Sequence, residues 1–384
     1  MVFLLLLLAL IVAPLVAAWA HLPPIFGLVC AGMVMGPHGL DVLVGRHVVL
    51  DTAGNIGLLY AMFVAGLELE LAQFTRYRRT ALLFALASFA IPFVLGVTSA
   101  RLLGYAGAAA VLLGASWGSH TLVTYPRLRE LGLAHHRAVT TVVGATPATS
   151  ILVVCVLAHI SVDARRGTGL LAEGIEIVLG LGLLALWSGV GLPRLARRFF
   201  AFARTDSARF VFALAAMCVA AIVAEAAGMP GIVGAFFAGL GLGRVLPAQS
   251  ELRARIEFVG SALFVPIFLL WVGMRVDPRV FLAMRSVAFV LVFTAIAVGG
   301  KALAAVLVGR HAAFDRAEIG VMSGLASSQV AITLAAAVAG AHLGVFDAFT
   351  VHVVLAVILA TVVVTPLIVE AFGRRLAAKA SLHG

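Results

Sequence analysis

Charge is scarce in this sequence. Asp, Glu, Lys and Arg make up 11% of 384 residues, against 63% hydrophobic ones. A soluble domain carries about a quarter of its residues as charges, so a water-soluble globule is excluded and the chain reads as an integral membrane protein. A mean hydropathy of +1.14 agrees. Cysteine is scarcer still: Cys30, Cys155 and Cys218 all lie in apolar runs. That excludes a disulfide framework and offers no Cys/His metal site, so no cofactor is expected. Enzyme signatures are missing as well. HExxH, GxSxG, a Walker sequence and paired intramembrane aspartates do not occur, and "GLGLGR" follows no expected strand, so no enzyme activity is expected. The net charge of +10 could suggest nucleic acid. Arg and Lys instead stand in short clusters between apolar segments, where membrane orientation explains them, and lipid is the expected surface partner.

Long apolar runs are what the sequence has in abundance. A helix needs about 20 such residues to cross a bilayer and a barrel strand about 10 in alternation, so the class is all-α. Thirteen spans are expected, near 2–20, 23–36, 52–70, 80–103, 105–124, 137–160, 169–192, 208–227, 230–245, 257–275, 284–309, 317–341 and 347–371. They nearly tile the chain. The longest polar connection is "PRLARRFFAFARTDSA" from Pro193, and the reading is one transmembrane domain over 1–384 with no soluble domain. The first span ends in small residues, as a cleaved leader does, but it lacks a basic start and is longer, so it reads as a retained helix. An odd number of spans puts the termini on opposite sides. With the N-terminus outside, nineteen of the 27 Lys and Arg fall on inside loops or the tail, seven fall outside, and Lys301 lies within a span. That bias expects a cell-membrane protein with a cytoplasmic C-terminus.

The chain also repeats itself. "LPPIFGLVCAGMVMGP" from Leu22 matches "MPGIVGAFFAGLGLG" from Met229, and "GLLYAMFVAGLELEL" from Gly57 matches "FVPIFLLWVGMRVD" from Phe264. The polar-interrupted "GASWGSHTLVTYP" from Gly114 matches "SGLASSQVAITL" from Ser323. An offset of seven spans makes the repeats inverted. Ser116, Ser119, His120, Thr121 and Thr124 crowd span 5, and Ser323, Ser327, Ser328 and Gln329 crowd span 12. Any one such hydroxyl is ordinarily bonded to its own helix or to a neighbour. Two clusters at equivalent repeat positions point to two broken helices, whose freed backbone groups form an ion site.

Lys301 lies nine residues before Arg310, roughly 13 Å deeper along a helix and near the bilayer midplane. Placing lysine there costs about 2.5 kcal/mol or more, and the depth exceeds a comfortable snorkelling reach. A functional role is expected. "VVGATPATSILVV" at 142–154 carries Thr146, Pro147 and Thr149 inside another apolar run. His120 is a candidate proton carrier because imidazole titrates near neutral pH. His159 and His352 have no comparable neighbours and read as structural.

In order and spacing, "PPIFGLVCAGMVMGPHGL", "FVAGLELEL", "TLVTYPRLRELG", "GMPGIVGAFFAGLGLG", "FVPIFLLWVGMRVD" and "GKALAAVLVGR" resemble the monovalent cation:proton antiporter superfamily, particularly its Kef-type and sodium/proton exchanger branch. The resemblance covers nearly the whole chain. It implies a thirteen-helix homodimer with a panel domain and a mobile core domain, two broken helices crossing in that core, and elevator-type exchange of Na⁺ or K⁺ against a proton. It also implies that Lys301 occupies the position of a lysine paired with the core carboxylate. Here the sequence departs from the pattern. Counted from Arg137, the family's carboxylate pair falls on Thr146-Pro147, and Gln329 stands where relatives often place Glu. Glu68 and Glu70 fall at the inner end of span 3, Glu225 near the outer end of span 8, and Glu173 and Glu176 near the start of span 7. Glu68 and Glu225 match acidic positions in relatives and are kept as cavity-mouth or structural candidates.

The substrate-site candidates are therefore Thr121, Thr146, Pro147, Thr149, Lys301, Ser328 and Gln329, with His120 or Lys301 as proton carrier. Threonine hydroxyls and the Val143 carbonyl, which Pro147 leaves without an N–H, supply oxygen atoms but no charge. Proton-coupled cation exchange is the expected function. Transport of an anion or weak acid by Lys301 and half-helix N-termini, and a non-transporting structural or sensor role, stay open beside it.

Overall fold

The computed structural model describes residues 2–20, 24–41, 47–68, 78–166, 179–203, 205–227, 229–247, 249–279 and 283–381. Glu70, Glu173 and Glu176, and the expected start of span 7, lie outside them. Every regular element among the described residues is helical: α1 Val2–Trp19, α2 Pro24–Met35, α3 His47–Leu67, α4 Arg78–Leu102, α5 Gly107–Ser116, α6 Tyr125–Glu130, α7 Arg137–Arg166, α8 Leu179–Phe202, α9 Asp206–Ala226, α10 Gly231–Gly243, α11 Glu251–Met274, α12 Met284–His311, α13 Arg316–Ser327, α14 Ala331–His342 and α15 Ala348–Ser381. Nine stretches among them, one being α13 with α14, are long and apolar enough to cross a membrane. Four shorter apolar helices, α1, α2, α5 and α10, complete the thirteen spans expected.

Helix starts follow their capping chemistry. Thr205 accepts from Ala208 N–H ahead of α9, and Ser250 accepts from Arg253 N–H ahead of α11. Asp315 and Glu318 form a reciprocal capping box at α13. One reading is corrected. The stretch from Pro193 is not a connection, because a π turn at Trp187–Gly191 leads directly into helix Leu192–Phe202. Pro193 lies inside the continuous helix, and the Gly189 carbonyl four residues before it, which the proline cannot serve, accepts from Arg244 NH1 at 3.0 Å. Leu192, Pro193 and Ala196 are buried while Arg194, Arg197 and Arg198 are exposed, so the arginine density hid an amphipathic helix end.

The chain divides into two compact units, residues 1–69 with 161–280 and residues 70–160 with 281–384. Each takes matching pieces from both repeats. In the first unit α2 packs on α11 and α3 packs on α10, and glycine permits both crossings. A Cβ on Gly32 would lie 2.2 Å from the Leu270 carbonyl oxygen, and one on Gly239 would lie 1.9 Å from that of Phe63. Gly273 and Gly66 make the return contacts, at 2.2 Å from the Val29 oxygen and 2.1 Å from the Phe236 oxygen. Gly32 and Gly239 are 207 residues apart, as are Gly66 and Gly273 and their carbonyl partners, so the two crossings are one contact made twice. Backbone carbonyls cannot move aside as side chains do. Gly239→Ala should therefore cost about 1–3 kcal/mol or prevent folding, read as a lower melting point in detergent or as loss of the monodisperse peak.

The second unit holds α4, α5, α6, most of α7, and α12 to α15. Its core joins Phe84, Val139, Val142, Ala145, Ala304, Ala305, Val321 and Leu325. Alanine is the commonest residue there, which lets membrane helices approach closely.

Candidate functional site

Two spans of the second unit are interrupted, where the hydroxyl clusters placed the breaks. The first runs as α5 to Ser116 and resumes as α6 at Tyr125; the second runs as α13 to Ser327 and resumes as α14 at Ala331. At the crossing, Thr121 N–H donates to the Ser328 carbonyl at 2.8 Å. These residues are also 207 apart, so equivalent positions of the two repeats bond to one another.

A helix that stops inside hydrocarbon leaves its last carbonyls without partners. Here the carbonyls of Ser116, Trp117 and Gly118 each find a side chain. Thr333 Oγ1 donates to the Ser116 carbonyl at 2.9 Å, and Gln329 Nε2 donates to the Trp117 carbonyl at 3.2 Å. Lys301 Nζ donates to the Gly118 carbonyl at 2.5 Å. Gln329 Oε1 lies 2.9 Å from Thr333 Oγ1 and shares that hydroxyl's single hydrogen with the Ser116 carbonyl, while the Gln329 backbone N–H donates to Thr361 Oγ1 at 3.3 Å.

Lys301 is fully buried in α12. Its second acceptor is the Ser88 carbonyl of α4, at 2.6 Å. Ser88 stands four residues before Pro92, which has no N–H to return, so that carbonyl is free for the ammonium. Lys301 thus joins two carbonyls that the backbone itself leaves open, one at a proline and one at a helix break. When protonated, it offsets the partial negative end of α5. Among the described residues of this unit the carboxylates are engaged elsewhere. Glu130 and Glu370 meet Arg127, Glu318 meets Arg137, Asp315 meets Lys379, and Asp347 caps α15.

His120, 1% exposed, enters from the first break and lies along α7. Its Nε2 is 2.9 Å from Thr146 Oγ1, and its Nδ1 is 3.5 Å from Thr149 Oγ1. The sequence nominated these three residues separately and the structure brings them together. Pro147 sits within α7, which continues through it. Ser328 and Thr121 meet through their backbones, while the buried hydroxyls of Ser119, Thr124 and Ser328 have no hydrogen-bond partner among the described residues. Glu68, at the end of α3, and Glu225, whose Oε1 would lie 2.7 Å from a Cβ on Gly231, both belong to the first unit and are exposed.

Sequence reasoning missed Ser88, Pro92, Thr333 and Thr361. Pro92 carried a readable signal, the carbonyl it frees four residues earlier; the threonines carried none. It also left Glu318 unmentioned. This buried carboxylate accepts from Arg137 Nε at 2.5 Å and NH2 at 2.7 Å, tying the start of α13 to the start of α7. The Arg137 guanidinium also covers the Phe314 ring at 4.6 Å. Glu318→Gln keeps the volume and removes the charge. It should lower folding stability by about 2 kcal/mol, discounted for the half-exposed arginine, and this is measurable as a shift in the thermal midpoint.

A family profile described as "Sodium/hydrogen exchanger, transmembrane" matches residues 4–375. The chain belongs to the sodium/hydrogen exchanger family. The Na(+)/H(+) antiporter NhaS5 of Synechocystis is 35% identical over 98% of this chain and 54% of its own length, so the chain spans about half of that relative. The Probable Na(+)/H(+) antiporter 3 of Methanocaldococcus jannaschii is 28% identical over 96% and 95% of the two chains. The Na(+)/H(+)-K(+) antiporter GerN of Bacillus cereus is 29% identical over 92% and 91%. The solved structure of the sodium proton antiporter MjNhaP1 from M. jannaschii at pH 8 superposes with a TM-score of 0.76 over 97% of each chain, at 14% identity, which shows the exchanger fold. The family and the relatives are transporters, and the chain is a multi-pass membrane protein.

Proposed function

We propose that the protein exchanges a monovalent cation, Na⁺ or K⁺, for protons by alternating access of the elevator type, with its substrate site at the crossing of the two breaks. The observation that carries this is the pairing of Thr121 with Ser328 at equivalent repeat positions, with buried unpartnered hydroxyls beside it. Membership of the exchanger family supports the substrate class. The arginine bias supports a cytoplasmic C-terminus, and the resemblance supports a homodimer.

One feature favours a second reading. Lys301 is a buried cation with carbonyl partners and no carboxylate among the described residues, an arrangement that suits an anion or weak acid. Purified protein in liposomes loaded with a pH-sensitive dye separates the two. Saturable proton flux evoked by Na⁺, K⁺ or Li⁺ is expected. Flux evoked by organic anions alone would replace the first reading with the second.

A further inference from the structure

Hydrogen accounting around His120 carries the function one step further. Thr146 Oγ1 donates its single hydrogen to the Val142 carbonyl at 3.1 Å, and Thr149 Oγ1 donates its own to the Thr146 carbonyl at 3.0 Å. With those hydrogens so placed, both hydroxyl oxygens face the imidazole as acceptors. Only an imidazolium, with hydrogen on both nitrogens, fills both. A neutral ring has one N–H and one lone pair, so one hydroxyl must turn away from its helix carbonyl and donate to the ring. The two protonation states of His120 thus correspond to two hydrogen-bond arrangements on the same face of α7. Among the described residues, the charged side chain that acts on the ring is Lys301 of α12. The carboxylates Glu130, Asp315, Glu318, Asp347 and Glu370 hold the other partners named above.

We propose that His120 carries the exchanged proton in place of a carboxylate, with Thr146 and Thr149 as the hydroxyl rotors that register its state. This rests on the cation:proton exchange proposed above. On release, the Nε2–H bond breaks and the proton leaves to water on the open side. The nitrogen lone pair then accepts the Thr146 hydroxyl, which has rotated off the Val142 carbonyl. The transported cation replaces the lost positive charge, and its departure allows the ring to be protonated again. One positive charge is exchanged for another while Lys301 stays on its two carbonyls, so the exchange is one for one and electroneutral.

Proton release on adding NaCl or KCl to purified protein in weakly buffered detergent tests this, with choline chloride as the control. The wild type should release about one proton per bound cation, and His120→Gln should release almost none while remaining monodisperse. Wild-type release from His120→Gln overturns the assignment. A wild type that neither binds a cation nor shows cation-evoked proton flux in liposomes overturns the functional reading itself, and this step with it. Should His120→Gln fail to fold, Thr149→Val decides. Losing the acceptor at Nδ1 disfavours the imidazolium, so half-release should move to lower pH by about one unit, the tenfold worth of one charge-assisted hydrogen bond. An unchanged midpoint overturns the proposal.

Discussion

Lys301→Met should reduce cation-driven proton flux to the background of empty liposomes and lower the melting point of the purified protein. Methionine fills the space of the lysine stem but supplies no donor, so the Ser88 and Gly118 carbonyls lose their partner together. Each orphaned carbonyl costs about 1–3 kcal/mol in a buried setting. Relief of the buried ammonium offsets part of this loss, because a charge removed from water is itself expensive. The functional loss does not depend on that balance. Without the ammonium, the α5 terminus keeps an uncompensated partial negative charge at the break, and α4 is no longer tied to it through the carbonyl that Pro92 frees. Lys301→Arg should recover only part of either property. A planar guanidinium directs its donors in a fixed fork and cannot converge on two carbonyls as an ammonium does. Wild-type flux and melting point in Lys301→Met would show that these contacts matter to neither transport nor stability.

Replacing Gln329 separates hydrogen bonding from charge at the same crossing. Its amide donates to the Trp117 carbonyl and accepts from Thr333, so one side chain links the second break to the end of α5. Gln329→Leu breaks both bonds. It should cost about 2 kcal/mol in stability and lower flux at least tenfold. Gln329→Glu should behave as a pH switch. A protonated carboxyl can still donate to Trp117, whereas an ionised one faces a carbonyl with nothing to donate. Stability and flux of this variant should therefore be highest at acidic pH and fall as pH rises through the carboxyl's ionisation. A pH profile parallel to that of the wild type would contradict the role given to the amide.

The exchanger architecture was legible because its signals are local or repetitive. Apolar length gave the spans, the matched glycine segments gave the repeat, and Lys301 declared itself by depth. The hydroxyl clusters around Ser119 and Ser328 located both breaks. What the sequence withheld are pairings across distance. Nothing near His120 announces Thr146, which is 26 residues away on another helix. Lys301 could be read as buried, but its acceptors belong to α4 and to the end of α5. Glu68 and Glu225 drew attention as the available carboxylates, and the fold assigns both to the unit that does not contain the crossing. The arginines after Pro193 suggested a connection because charge density masked the helical period.

The central claim is that a crossing with no carboxylate among the described residues still exchanges a cation for a proton, charge for charge. Dye-loaded liposomes carrying the wild-type protein, with membrane potential set independently of the transported ion, test it most directly. Moving one net charge across 100 mV changes the free energy by about 2.3 kcal/mol, so an electrogenic cycle would respond strongly. The account predicts saturable proton flux driven by Na⁺ or K⁺ at the same rate at 0 and at about −100 mV. Flux that follows the potential, or flux that only anions evoke, would contradict it.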